Sequence, residues 1–226
     1  MINQGLKDYT RQISQSIGEV ASVYVNLNQE AANMDIVIPG FATQGPNPIE
    51  ISLIYNFQDR DKDEGFFGKG CHLNFYKSFE NGKDYIIIKE ADGSKIEYNY
   101  NASLNAFKSL ESKLTVYRTI VEDEENGNWY QYVIQDVDGN KIFYNEGYCY
   151  PTLIEYKTGE KIVFEGMVMN NGHGGVVYCQ FQGSRVKTIL YKQDNISLYS
   201  VDIGYDTSQR INSVKHYMVK NGNEKN

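Results

Sequence analysis

The residues best suited to chemistry in this 226-residue chain are three alternating carboxylates, Asp59, Asp61 and Asp63. Acidic side chains at every second position are how a calcium loop opens, offering hard oxygen donors to a hard cation. An EF-hand loop also requires Gly at its sixth position and Glu at its twelfth. Counted from Asp59, those positions hold Glu64 and Gly70, while Arg60 and Lys62 offset part of the charge. The run therefore reads as a solvated loop.

Two glycine-rich stretches invite a similar test. Gly172-His173-Gly174-Gly175 has the letters of an esterase oxyanion hole, but the sequence holds no G-x-S-x-G nucleophile elbow to go with it. Gly65 to Gly70 fits neither GxxxxGK[ST] nor GxGxxG, so it is no phosphate loop; glycines this dense before an aromatic strand predict a bulged, close-packed corner. The histidines, His72, His173 and His216, are dispersed. The cysteines, Cys71, Cys149 and Cys179, are too far apart for a C-x-x-C pair and odd in number, and they read as buried free thiols. No catalytic, cofactor-binding or metal-ligating residue is assigned, and no cofactor is expected.

The elements that would position any site are β-strands. Tyr occurs 19 times against 10 Phe and one Trp, and 20 Gly stand against 4 Pro. Tyr, Val, Ile and Thr suit a half-buried pleated surface, and abundant Gly suits tight turns. A net charge of -7 argues against a nucleic-acid partner. No apolar run reaches the ~20 residues of a membrane span, and no secretory signal is visible.

One segment departs from the β pattern. Leu6, Tyr9, Ile13, Ile17 and Val20 lie at helical spacing, which predicts an amphipathic helix over 5–18 within an N-terminal unit of residues 1–20, with Gly18 as its stop. From residue 21 the period falls toward two. Strands are expected at 22–25, 35–38, 49–56, 75–79, 85–88, 95–100, 114–122, 129–135 and 141–144, with a hairpin over 152–165, all within one β domain of residues 21–226.

A phrase recurs through this domain: Asp92-Gly93-Ser94-Lys95-Ile96-Glu97-Tyr98, Asp138-Gly139-Asn140-Lys141-Ile142-Phe143-Tyr144 and Thr158-Gly159-Glu160-Lys161-Ile162-Val163-Phe164. Asp-Gly between β-rich runs signals a hairpin with a two-residue loop. Folding each copy about such a loop places Ile87 opposite Tyr98, Val133 opposite Tyr144 and Leu153 opposite Phe164. It also puts each following Ile opposite a long polar side chain. A shorter repeat closes the chain, Arg185-Val186-Lys187-Thr188-Ile189 returning as Arg210-Ile211-Asn212-Ser213-Val214.

Tyr205-Asp206-Thr207-Ser208-Gln209-Arg210-Ile211-Asn212-Ser213-Val214 resembles the repeat phrase of the Rhs/YD-repeat family, with Gln209 where that family usually has Gly and Ile211 for Leu. Gly68-Lys69-Gly70-Cys71-His72-Leu73-Asn74 is similar to the family's Gly-x-Gly-Trp segment, with Cys71 in place of Trp. Residues 35–40 and 53–56 resemble the region before it, and Asp136–Tyr144 matches the D-x-D-G-x-x-x-x-[FY] phrase. The likeness covers about residues 21–218, in the family's order.

The resemblance implies a mainly β fold, a curved antiparallel sheet of consecutive hairpins, with the short helix before it. It implies the opening segment of a bacterial shell that encloses or displays a toxin or effector, secreted or at the cell surface and cytoplasmic before export. On this reading the module is not an enzyme. Its partners are the remainder of a β-shell, or a second copy paired edge to edge along 213–219 unless the N-terminal helix caps that edge. The alternative is a carbohydrate- or peptide-binding module using exposed Tyr on the concave face of the sheet.

Overall fold

The computed structural model describes residues 12–17, 21–26, 31–37, 49, 51–63, 65–122 and 127–219. Two antiparallel sheets lie among them. The first takes strands in chain order: β1 (Gln12–Ile17), β2 (Ala21–Asn26), β3 (Ala31–Val37), β4 (Ser52–Asn56) and β5 (Cys71–Leu73). A 3-10 turn over Phe57–Asp59 follows β4.

The second sheet opens with β6 (Lys77–Asn81), β7 (Tyr85–Glu90), β8 (Lys95–Asn101), β9 (Ala106–Lys108) and β10 (Thr115–Val121). It continues through β11 (Trp129–Gln135), β12 (Lys141–Asn145), β13 (Leu153–Glu155), β14 (Lys161–Glu165) and β15 (Val168–Asn170). It ends with β16 (Gly175–Gln182), β17 (Arg185–Gln193), β18 (Ile196–Tyr205) and β19 (Ile211–Met218). All 14 strands pair with their chain neighbours, so the domain is a mainly β meander of consecutive hairpins, as the sequence led us to expect.

The expected N-terminal helix is corrected where the structure describes it. Residues 12–17 form β1, paired antiparallel with β2, and residues 1–11 of that expectation lie outside the described residues. Within 12–17 the chain reads Gln-Ile-Ser-Gln-Ser-Ile. Ile alternates at 13 and 17 about two Ser, poor helix formers, and the neighbouring strand supplies the ladder that completes a β reading. β3 also starts at Ala31, earlier than the polar character of 27–34 suggests.

The three phrases fold into hairpins shifted one residue from the expected register. Ile86 faces Tyr98 and Ile88 faces Ile96. Ile134 faces Ile142, and Ile154 faces Ile162. The reason is a three-residue loop in place of two. The N–H of Glu90 donates to the carbonyl of Ser94 at 2.9 Å, and Gly93 donates back to Glu90 at 2.9 Å. The positive φ sits at Gly93 (81°), Gly139 (95°) and Gly159 (92°), and not at the residue before each. This is a β-turn followed by one left-handed residue, the bulged alternative to a two-residue loop.

The shift decides what faces the core, because a one-residue slip turns every side chain over. Ile134, Ile142, Ile154 and Ile162 form a buried row across four strands. Tyr98, Tyr132, Tyr144 and Tyr191 are buried beside such aliphatic residues. Their hydroxyls find partners: Tyr98 on Ser112 at 3.0 Å, Tyr132 on Asn81 at 2.5 Å, Tyr144 on the carbonyl of Phe75 at 2.9 Å and Tyr191 on Gln193 at 2.7 Å. A ring in the core with a satisfied tip is the favourable way to bury Tyr.

The start of this sheet meets its own middle. Phe79 of β6 stacks on Tyr132 of β11 at 4.1 Å, and the N–H of Lys77 donates to the carbonyl of Cys149 at 2.8 Å. Phe75 packs edge-on against Phe164 of β14 at 5.4 Å. Strands so far apart in the order can touch only if the sheet curves back on itself. Residues 65–79 run along the inside of that curve and reach its far end, where Val186 donates to the carbonyl of Phe66 at 2.9 Å.

Candidate functional site

Most of the polar residues that the fold buries lie where the first sheet meets β7; Asn171, in the turn after β15, lies apart. β4 ends at Asn56, whose Oδ1 accepts from the N–H of Gln58 at 2.9 Å and whose Nδ2 donates to Asp59 at 2.7 Å. Asp59 also accepts from Lys89 Nζ at 2.5 Å and from Lys62 Nζ at 2.8 Å. Burial alone would raise the Asp59 carboxyl, but its bonds to Lys62 and Lys89 outweigh that and hold it below the usual carboxylate range. On the adjoining β6–β7 ladder, Lys77 pairs with Glu90 in the interior. Burial raises the Glu90 carboxyl, and the Lys77 ammonium opposes the rise only in part.

His72 of β5 completes the group. Only 2% of it is exposed, its ring stacks on Tyr76 at 3.9 Å, and its Nδ1 has no hydrogen-bond partner. Burial drives its pKa down to about 4, against the pull of the Asp59 charge, so the imidazole is neutral at pH 7. Each carboxylate here is matched by an ammonium, and the histidine carries no charge. Chemically this arrangement locks two segments together.

The sequence candidates are placed as follows. The alternating aspartates do not converge: Asp59 turns inward to Lys62 and Lys89, Asp61 pairs with Arg210 at 3.0 Å and Arg60 at 3.5 Å, and Asp63 pairs with Arg185. Among the described residues no three His, Cys, Asp or Glu side chains form a metal-sized cluster. Cys71 and Cys179 are buried, and burial pushes both thiols up to about 12, far from the reactive thiolate range.

Gly172-His173-Gly174-Gly175 forms the turn from β15 to β16. The N–H groups of His173 and Gly175 donate to Asn171 Oδ1 at 2.9 and 3.0 Å, so they serve a side chain of the protein itself. The 65–70 segment is the close-packed corner that its glycines predict. A Cβ on Gly68, where φ is +83°, would stand 2.5 Å from the carbonyl oxygen of Gln209.

That turn exposes a pattern the sequence reading missed. One five-residue turn recurs at 90–94, 136–140, 156–160, 171–175 and 206–210. In each, the first N–H donates to the fifth carbonyl, at 2.9 to 3.1 Å. In each, the fourth residue is left-handed: Gly93, Gly139, Gly159, Gly174 or Gln209. Where the first residue is Asp136, Asn171 or Asp206, its side-chain oxygen accepts from the third and fifth N–H groups at 2.8 to 3.0 Å. The Asp of Tyr205-Asp206 and the first Asp of Asp136-Val137-Asp138-Gly139 thus hold the same post. The signal was legible as an Asx residue three places before a left-handed one.

Compared with known proteins, the sequence matches no family model and no curated relative.

Proposed function

We propose that this chain is a non-enzymatic structural module, a length of β-shell wall like the opening segment of Rhs/YD-repeat shells, which encloses or displays a toxin or effector of bacterial origin at or beyond the cell surface. The observation that carries the reading is the single turn design used five times in one continuous curved sheet, with Asp136 and Asp206 in the same post. The buried polar cluster fits a wall, since it ties the loop after β4 to β7 by charge pairs and offers no paired nucleophile and base. Its partner in this role is the remainder of a shell.

The test is protection of cargo. An effector domain encoded beside this chain, co-expressed with it, should resist trypsin when the wall is present and be cut when the chain is omitted. Equal digestion in both samples rejects the reading. Carbohydrate binding, the alternative, would fall to the exposed Tyr85, Tyr100 and Tyr148, because Tyr98, Tyr132, Tyr144 and Tyr191 are in the core. A glycan array separates the two.

A further inference from the structure

β19 pairs with β18 alone, and its other side is open among the described residues. The N–H of Val219 donates to the carbonyl of Leu198 at 2.9 Å, and the ladder keeps one register from there back to Ser213. Residues 213, 215 and 217 therefore direct their backbone groups to β18, and Val214, His216 and Met218 direct theirs outward, as antiparallel alternation requires. The same three carry side chains on the concave side, opposite the buried Ile203 and Val201 and beside Tyr199. The core thus runs out at this strand, leaving Met218 72% exposed, with Tyr217 at 40% on the other face.

We infer that the free edge of β19 pairs antiparallel with β19 of a second copy of this chain, about a two-fold axis at His216. Several registers set outward groups against outward groups, but only an axis at His216 pairs all three with one another; an axis at Tyr217, for instance, carries Val214 past the end of the partner's β19 at Met218. An axis at Lys215 sets Lys215 against the partner's Lys215, a like-charge contact that opposes pairing. An axis at Val214 runs Asn212 into the pairing, where the bulge between Gly204 and Tyr205 breaks the strand. The axis at His216 avoids both. It lays Val214 against the partner's Met218 twice on the concave side, covering the residues the monomer leaves open. On the outer face Lys215 lies against the partner's Tyr217, an amphipathic pairing of ammonium stem and ring.

Such a contact is isologous and closes at two chains, whereas pairing of β19 with the edge of β1 that is open among the described residues would be head-to-tail and grow. It is independent of what the wall encloses. At the axis the two imidazoles face each other, with Val201 and Tyr199 behind each on β18 and Lys215 directed to the opposite face. Burial lowers the His216 pKa below the ordinary histidine range, and protonating both at acid pH sets cation against cation and should weaken the dimer.

Sedimentation of the full chain from about 1 to 200 μM is the test. A dimer is expected at pH 7.5, with dissociation at least tenfold easier at pH 5.5. His216→Pro removes one N–H, which points outward and which an edge strand can lose, and should give a monomer with the parent's far-UV spectrum. Met218→Lys, at a side chain already in water in the monomer, should do the same without risk to the fold. A parent that is monomeric throughout, species larger than two chains, or a Met218→Lys protein as dimeric as the parent would each overturn the proposal.

Discussion

Gly68 lies directly beneath the carbonyl oxygen of Gln209, with room for a hydrogen and none for a methyl: a Cβ there would approach to 2.5 Å. The same carbonyl accepts the N–H of Lys69 at 2.9 Å, and Tyr205 packs its ring over the glycine while its hydroxyl donates to Val186. Through this contact the corner after the first sheet seats on the last hairpin. Gly68→Ala meets both left-handed strain and the clash, and it should cost about 2 kcal/mol or more, read as a lower denaturant midpoint. Gln209→Gly should act in the opposite sense. Gln209 holds a φ of 65° that Gly adopts without strain, so that variant should gain about 0.5–1 kcal/mol after the entropy cost of Gly.

The recurrent turn makes a second prediction, which compares two kinds of damage at one hairpin. Gly139→Val forces a β-branched residue into the left-handed region and should cost about 1–2 kcal/mol. Asp136→Ala deprives the N–H groups of Asp138 and Asn140 of their acceptor and should cost about 1 kcal/mol. Asp138→Ala, one position from the glycine, should be close to neutral. Urea melts of the three variants check the order. If Asp138→Ala proved the most damaging, the turn would be organised by the Asp-Gly pair after all.

Much of this fold was legible because β-sheet patterning is local. The recurrent Gly and the alternation about Ile96, Ile142 and Ile162 were enough to place the hairpins, but not the register. A two-residue and a three-residue loop share the same Gly; an Asx residue marks the longer one at Asp136, Asn171 and Asp206, while Glu90 and Tyr156 open the same turn with no such mark. The segment at 12–17 was misread because Ile13 and Ile17 satisfy a helical spacing and a strand spacing alike, and pairing with β2 decided between them. Asp59, Lys89, Lys77 and Glu90 had no local signature at all. Their pairing depends on where the 3-10 turn after Asn56 lands against β7, a long-range outcome.

Acid should loosen the protein in a defined window. The folded His72 titrates at about 4 against an ordinary 6.5, so below pH 6.5 the unfolded chain binds a proton that the folded chain refuses. Stability from this source is complete above pH 6.5 and is lost as the pH falls toward 4, amounting to about 2 kcal/mol by pH 5. Asp59, held low by its two lysines, adds a further loss only below the usual Asp range, near 3.8. Glu90, held high, works the other way just above 4.5. Denaturation of His72→Phe at pH 7 and pH 5 isolates the first effect: its stability should be nearly flat where the parent's falls.

Removing the carboxylate at Asp59 strands charge in the interior. Lys89 keeps little exposure, and Asp59 is its ion-pair partner at 2.5 Å. Asp59→Ala should therefore cost about 3 kcal/mol or more, while the double variant Asp59→Leu with Lys89→Met should recover most of it, because an apolar pair has no desolvation to repay. Calorimetric melting of the single and double variants is the measurement. Equal losses in both would mean that the 3-10 turn depends on Asn56 and Asp59 for its shape, and not on charge pairing.

Calcium provides the last test, and it bears on the carboxylates with which the sequence began. A calcium ion gathers six to eight oxygens at about 2.3–2.6 Å, so Asp59, Asp61 and Asp63 would have to turn toward one point. To do so Asp59 must leave Lys89 and Lys62 inside the fold, Asp61 must leave Arg210, and Asp63 must leave Arg185. The first of these steps leaves a buried ammonium unpaired, a cost that a loop lacking Gly and Glu at the EF-hand positions has little means of offsetting. The melting temperature should thus be the same in millimolar calcium and in chelator. Asp61→Ala, which breaks only exposed pairs with Arg210 and Arg60, should change stability by no more than about 0.5 kcal/mol in either buffer. A calcium-dependent rise of several degrees that vanishes in Asp61→Ala would show that the ion does gather these side chains, and that the ion pairs give way to it.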